Sequence, residues 1–383
     1  MTYIWQHPDW PEFSYSETVY ATKQLYPYVQ HVGRLTNQLT HIPEDLRLDA
    51  ILDLMVREAV TTSAIEGENL NAEDVRSSLK NHLGLIYPPK HIRDPRAQGI
   101  SALMVSNYQQ TPEQLDADTL FRWHRMLLPN EYDSWGRKLH IGQWRTEGMQ
   151  VISGPPHKQK VHFEAPPASM VNDEMEQFFR WYNHTRPPQN PTDRDFLPGP
   201  IRAAIAHLWF VSIHPFDDGN GRIARALSEH ALAQDAGQPM LHSLSAAIEK
   251  NKRDYYEQLE QAQRGNMDIS SWLQWFIAII SQSIAITERI ITFTVQKASF
   301  IQTHRAHLNP RQLEVVLHLF ANGADGDPRS VNRNKYVTIA HCSPSTALRD
   351  LKDLVDKNVL QQLPGSGRNT RYGLKLMIHS QNG

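Results

Sequence analysis

A single cysteine, Cys342, stands in 383 residues. No internal disulfide framework can form, and a reducing compartment is the fitting environment. Charge of one sign is also scarce: 39 Lys and Arg face 41 Asp and Glu, a formal −2. That balance gives no global field toward nucleic acid or membrane. No internal repeat or low-complexity run is present. The first residues carry neither the basic stretch nor the apolar stretch of a signal peptide. The most membrane-like segment, Trp272 to Ile286, is broken by Gln274, Ser281, Gln282 and Ser283. It falls short of the ~20 apolar residues that span a bilayer. The expectation is a cytoplasmic protein of two or three domains with no membrane partner.

What is there is mostly helical pattern. After a strap of aromatics and prolines (Tyr3, Trp5, Trp10, Phe13, Tyr15), helices are expected from Ser16 to about Leu39 and from Pro43 to about Ile65. Gly67 reads as the stop of the second, and Asn71 with Asp74 opens another helix to about His82. Asp94 and Pro95 start a helix to Tyr108; Thr111 and Pro112 are expected to start one carrying Leu115, Leu120, Trp123, Met126 and Leu127. Val151-Ile152 and Val161-His162-Phe163 flank a polar loop and predict a β-hairpin. Met170 to Asn183 is amphipathic, and Trp272 to Lys297 predicts a long helix or helix pair. The tail predicts a helix from Asn309-Pro310 through Phe320, then a second helix over Thr346 to Asn358. A hairpin within Val359–Leu374 follows, which makes a winged-helix pattern. The fold class expected is mainly α, with a small hairpin and a C-terminal winged-helix domain.

One stretch organises the rest: His214-Pro215-Phe216-Asp217-Asp218-Gly219-Asn220-Gly221-Arg222-Ile223-Ala224-Arg225. It follows an apolar helix over Ala203 to Ile213 and runs into a second helix over Ile223 to Gln234. Gly219 and Gly221 allow backbone angles closed to other residues and let a ligand approach the main chain. The helix starting near Asn220 aims free N–H groups and its positive dipole end at the same place. Arg222 and Arg225 share a face, and guanidinium forks suit phosphate oxygens. Asp218 is a hard oxygen ligand of the kind Mg²⁺ accepts beside phosphates. His214 is the one group here that takes a proton near neutral pH. Together they describe a Mg-nucleotide site with a general base at its rim.

The segment resembles the signature of the Fic (Fido) family, His-Pro-Phe-x-Asp/Glu-Gly-Asn-Gly-Arg-x-x-Arg, at every specified position. The resemblance implies a protein adenylyltransferase that moves AMP from ATP to Tyr, Thr or Ser hydroxyls of target proteins. In that reading His214 is the base, Asp218 holds Mg²⁺, the main chain around Gly219, Asn220, Gly221 and Arg222 cradles phosphates, and Arg225 meets the γ-phosphate. Thr62, Glu66 and Gly67 match the family's inhibitory motif, which without the resemblance would be an ordinary helix end. They imply that Glu66 blocks Arg225 through a bidentate pair. The hairpin corresponds to a flap that clamps the target by strand addition and covers the nucleotide, with Ile152, Ser153 and Gly154 as contacts. Tyr255 and Tyr256 correspond to the adenine pocket, and Gln263 stands where the family has Asn. The strap resembles the N-terminal module of one branch of the family.

The domain expectation is therefore 1–110 with the inhibitory motif, 111–300 as catalytic core and 301–383 as winged helix. Other readings are removal of AMP, transfer of UMP or phosphocholine on the same fold, or a DNA-binding regulator. For the tail, packing, homodimer formation or target recruitment is preferred over DNA, because Asp350, Asp353 and Asp356 interrupt its second helix.

Overall fold

The computed structural model describes residues 2–16, 25–41, 43–109, 113–130, 132, 136–154, 158, 160–187, 196–237, 242–321, 330–364 and 370–376. The chain forms two compact units, residues 1–41 with 51–287, and residues 42–50 with 288–383. The expected start at Thr111-Pro112, the first part of the helix from Ser16 and the tips of both hairpins lie outside the described residues.

The larger unit is helical apart from one hairpin. In order it holds α1 (Leu25–His41), α2 (Glu44–Ile65), α3 (Ala72–His82), α4 (Pro95–Gln109) and α5 (Ala117–Leu127). The hairpin β1 (Gln150–Ser153) and β2 (Lys160–Glu164) follows, then α6 (Val171–His184), α7 (Gly199–Ile213), α8 (Asn220–Ala236), α9 (Leu244–Lys250), α10 (Lys252–Arg264) and α11 (Ser270–His304). Helices α2 and α11 contribute residues to both units. Every residue of α7 is buried, as expected of a helix that is apolar all round. It packs on α8, which ends at the left-handed Gly237.

Local chemistry fixes the other ends. Asn71 caps α3 by accepting from the N–H groups of Glu73 and Asp74. Gly67, at φ +85°, turns the chain at the end of α2. Helix α5 differs from expectation: Asp116 is its cap, accepting from Thr119 N–H, so Leu115 lies before the helix. The strap is not extended but coiled, with a 3₁₀ turn at Ile4–Gln6 and further turns after it; Trp5 Nε1 donates to Glu164 O at 2.7 Å and Trp10 Nε1 to Glu174 Oε2 at 2.8 Å. Helix α11 is one continuous helix, the first of the two alternatives expected over Trp272 to Lys297. By length and composition it could cross a membrane, yet 61% of its apolar window is buried inside the protein.

In the smaller unit, α12 (Pro310–Ala321), α13 (Arg333–Ala340) and α14 (Pro344–Asp356) surround a core of Val315, Leu319, Tyr336, Leu351 and Leu354. Strands β3 (Ser330–Val331), β4 (Leu360–Gln362) and β5 (Tyr372–Leu374) form an antiparallel sheet in the order β3-β5-β4. The turn from α13 to α14 passes through left-handed His341 and ends at Ser343, which caps α14 by accepting from Thr346 N–H. This is the helix–turn–helix and hairpin expected. One expectation fails: Asp350 does not interrupt the outer face of α14. It is buried, accepting from Tyr336 O–H at 3.1 Å and Arg311 Nε at 3.2 Å.

Candidate active site

His214 closes α7 in the left-handed region, φ 51° and ψ 59°, an uncommon conformation for a residue with a side chain. Arg145 holds it there. This buried side chain donates from Nε to His214 O (2.8 Å), from Nη1 to Glu147 O (2.7 Å) and from Nη2 to Pro166 O (2.6 Å). Its own N–H reaches Pro215 O at 2.9 Å. Burial lowers the Arg145 pKa, but the ordinary value is so high that the charge remains. Arg145→Ala would strand several buried carbonyls, so we expect a loss on the order of 3 kcal/mol, read by urea unfolding.

The ring of His214 has one assignable tautomer. Nδ1 lies 3.2 Å from Val211 O, which can only accept, so Nδ1 carries the proton and Nε2 keeps its lone pair. Burial pushes the His214 pKa down to about 4, with Arg145 adding to it against Val211 O, Glu66 and Asp218. At neutral pH the ring is a neutral base.

Three locks shape the loop after His214. Asn220 accepts from Phe216 N–H at 3.0 Å and donates to Phe216 O at 2.8 Å. Asp217 accepts from both the backbone N–H and Nδ1 of His140, each at 2.8 Å. His124, fully buried on α5, stacks on Phe216 with ring centres 4.1 Å apart. Its Nδ1 accepts from Gly142 N–H at 2.9 Å, so Nε2–H is the donor to Asp218 O at 3.2 Å. Burial lowers the His124 pKa to about 4, which keeps that tautomer in place. Neither His124, His140 nor Arg145 stood out in sequence. His124 sits on the apolar stripe of α5 with Leu120 and Leu127, where a histidine reads as ordinary core.

The charged groups meet at the start of α8. Asp218 is half exposed; its Oδ1 accepts from Gly219 N–H at 2.6 Å and lies 3.7 Å from Arg222 Nη2. Arg225 is 1% exposed. Its Nε donates to Thr62 Oγ1 at 2.7 Å, and Nη2 to Thr62 O at 2.9 Å and Glu66 Oε1 at 2.8 Å. The Glu66 contact is through one oxygen rather than the expected bidentate pair, because Thr62 takes Nε and shares Nη2. Burial raises the Glu66 pKa, but Arg225, Arg222 and Lys252 outweigh it and the net shift is downward. A second acid was not anticipated: Glu68 Oε1 accepts from Arg222 Nη1 at 2.9 Å. Gly221 is glycine for a steric reason, since a Cβ there would stand 2.2 Å from Glu66 Oε1.

The remaining predicted residues divide. Ile152 is 46% exposed, at a register shift in the hairpin, and Gly154 has φ +93°. Ser153 Oγ donates to His162 Nε2 at 2.6 Å, and His162 Nδ1 donates to Glu260 Oε2 at 3.0 Å, tying the hairpin to α10. Tyr255 is buried with its hydroxyl 2.9 Å from His207 Nε2, whereas Tyr256 is 45% exposed. Gln263 is buried, with Nε2 3.3 Å from Ser212 Oγ at the end of α7. Thus α2, α8 and the loop between α7 and α8 assemble one polar centre, with Tyr255 behind it.

The donor set fits Mg²⁺ as one carboxylate would hold it beside phosphates. Asp218 Oδ2 is uncommitted, and among the described residues no cluster of three or more acidic, His or Cys side chains forms a cage of its own.

Residues 114–232 match the Fic/DOC family, and residues 3–85 match a domain of unknown function, DUF4172. A uridine 5'-monophosphate transferase of Xanthomonas campestris is 34% identical over 131 residues, 33% of this chain and 23% of that protein. Protein adenylyltransferase fic-1 of Caenorhabditis elegans is 26% identical over 267 residues, 66% of this chain and 47% of that protein. The chain thus spans half or less of the length of these curated relatives. A Fic family protein from Desulfovibrio desulfuricans shares the fold at a TM-score of 0.52 and 19% identity, over 95% of this chain and 98% of that one.

Proposed function

We propose, on the premise that this chain carries a Fic/DOC-family domain at residues 114–232, that it is a protein adenylyltransferase held in an inhibited state by Glu66. The observation that carries the reading is the Arg225–Glu66 contact at 2.8 Å beside a neutral His214 whose Nε2 is free. The target hydroxyl attacks the α-phosphorus of ATP, the bond to pyrophosphate breaks, and the hydroxyl proton passes to His214 Nε2. In-line displacement of this kind depends on positioning and charge neutralisation. Arg222 and Arg225 supply fixed positive charge at the start of α8, and the N–H groups there donate to phosphate oxygens. When bound, Mg²⁺ would neutralise phosphate charge, with Asp218 as its protein ligand. The flap offers its edge to an extended target segment, and Tyr256 offers a face to the purine.

The test is incubation of the chain, and of Glu66→Gly, with labelled ATP or labelled UTP and cell lysate. Labelling from ATP supports the reading, labelling from UTP alone shifts it to UMP transfer, and no labelling from either overturns it. Glu66 favours a second reading in one respect: among the described residues only its Oε1 accepts a hydrogen bond, and Oε2 could orient a water for removal of AMP. Release of AMP from a pre-modified target by wild type but not by Glu66→Gly would establish that reading.

Asp218→Ala is expected to lower the rate chiefly by weakening Mg²⁺ retention. Titrating Mg²⁺ in a steady-state assay should show partial recovery at high metal, while wild-type activity without divalent metal would remove the role given to Asp218.

A further inference from the structure

The charge of the chain is unevenly divided. Residues 288–383 hold 13 Lys and Arg against 7 Asp and Glu, a net +6. From chain totals of 39 and 41, that leaves 26 against 34 for residues 1–287, a net −8. The near-neutral total therefore conceals a basic segment.

Helix α14 directs that charge outward. After Pro344 at its first position, its exposed positions are Ser345, Leu348, Arg349, Lys352 and Asp356, spaced as one helical face. Two of the three carboxylates that opposed a polyanion in the linear sequence are engaged by partners. Asp350 is buried against Tyr336 and Arg311, and Asp353 accepts from Gln312 Nε2 at 2.7 Å and pairs with Lys357. Asp356, the last residue of the helix, remains on the face, and the Asp353 side chain, 43% exposed and paired with Lys357, borders it. Arg349 and Lys352 have no recorded ion pair among the described residues. The exposed Arg333 and Lys335 stand at the start of α13, and Arg371 is exposed beside β5. At the start of α14, the hydroxyls of Ser343, Ser345 and Thr346 cluster within 2.9 Å of Ser343 Oγ.

We propose that the smaller unit binds duplex DNA, with the exposed face of α14 entering the major groove. The helix, about 10–12 Å across, matches a groove about 12 Å wide. Arg349 and Lys352 then meet guanine edges or phosphates, Leu348, 55% exposed, meets thymine methyl groups, and the hydroxyls at the helix start meet phosphates. Arg333, Lys335 and Arg371 add phosphate contacts on either side. A-form RNA is not the favoured partner, because its deep, narrow major groove does not admit side chains.

Fluorescence anisotropy of the full chain with labelled mixed-sequence duplex DNA, at several salt concentrations, tests this. Wild type should bind with micromolar or tighter affinity at low salt, and log K should fall with log salt with a slope of about −4.5 for five cations in contact. Arg349→Glu with Lys352→Glu should lower affinity at least about tenfold and flatten the slope by about 2. Those side chains are exposed, so thermal unfolding should change little. Equal binding by wild type and variant, or equal binding of duplex RNA of the same sequence, would overturn the proposal. So would absence of binding at low salt.

Discussion

Glu66→Gly should raise the initial rate of AMP transfer by roughly ten- to a hundredfold. The figure follows from what the carboxylate does now. Glu66 Oε1 occupies Arg225 Nη2 at 2.8 Å, on a guanidinium that is 1% exposed. A hydrogen bond to a charged group contributes about 1.5–3 kcal/mol, and each ~1.4 kcal/mol is a factor of ten in occupancy. Removing the carboxylate frees that donor for phosphate without disturbing Thr62, which still holds Nε. Glu68 does the same to Arg222 at 2.9 Å, so Glu68→Gln should raise the rate further when combined with Glu66→Gly. Initial rates of the four proteins with Mg-ATP decide it; equal rates for wild type and Glu66→Gly would end the brake. Neutral pH does not release it. The pKa of Glu66 is shifted down, so the pair is intact above the ordinary carboxylate value and is lost only as pH falls through the lowered one.

The parts of this centre that were legible in sequence are those whose chemistry is local. A histidine, two glycines and two arginines in twelve residues constrain one loop and one helix start, and the structure brings them together. Helix ends with a side-chain cap, such as Asn71, were equally readable because cap and helix are neighbours in the chain. What sequence could not give depends on distant partners. Arg145 matters because the carbonyls of His214, Glu147 and Pro166 converge on it. His124 is indistinguishable from a core residue until Phe216 is seen stacked on it. Glu68 lies next to a recognised motif, but nothing in its spacing says that Arg222 faces it. Asp350 was misread because helical position alone does not say which face meets α12 and α13. The start of α5 was misplaced because Thr-Pro and Asp116 are both sound openings, and only Asp116 lies where the apolar stripe begins.

His214→Ala should lower the rate of AMP transfer by roughly 10²–10⁴, the range for loss of a positioned general base. No other side chain described near the loop can substitute. His124 spends Nε2–H on Asp218 O and Nδ1 on Gly142 N–H, and His140 spends Nδ1 on Asp217. The variant should fold, since Arg145 binds the backbone carbonyl at position 214 rather than the imidazole. Relief of a left-handed side-chain residue is not gained either, because alanine has the same Cβ. Nucleotide affinity should change little, because in the proposed mode the phosphates would meet Arg222, Arg225 and backbone N–H groups rather than His214. The pH profile gives an independent check. Burial holds the His214 pKa at about 4, so the base form persists well below the ordinary histidine value. The acid limb of kcat/KM for the free enzyme should therefore lie nearer 4 than 6.5, provided the fold is intact there by circular dichroism. A limb near 6.5 that vanishes in His214→Ala would mean that the histidine is solvated in the working enzyme. Near-normal turnover by the variant would remove it from the chemistry altogether.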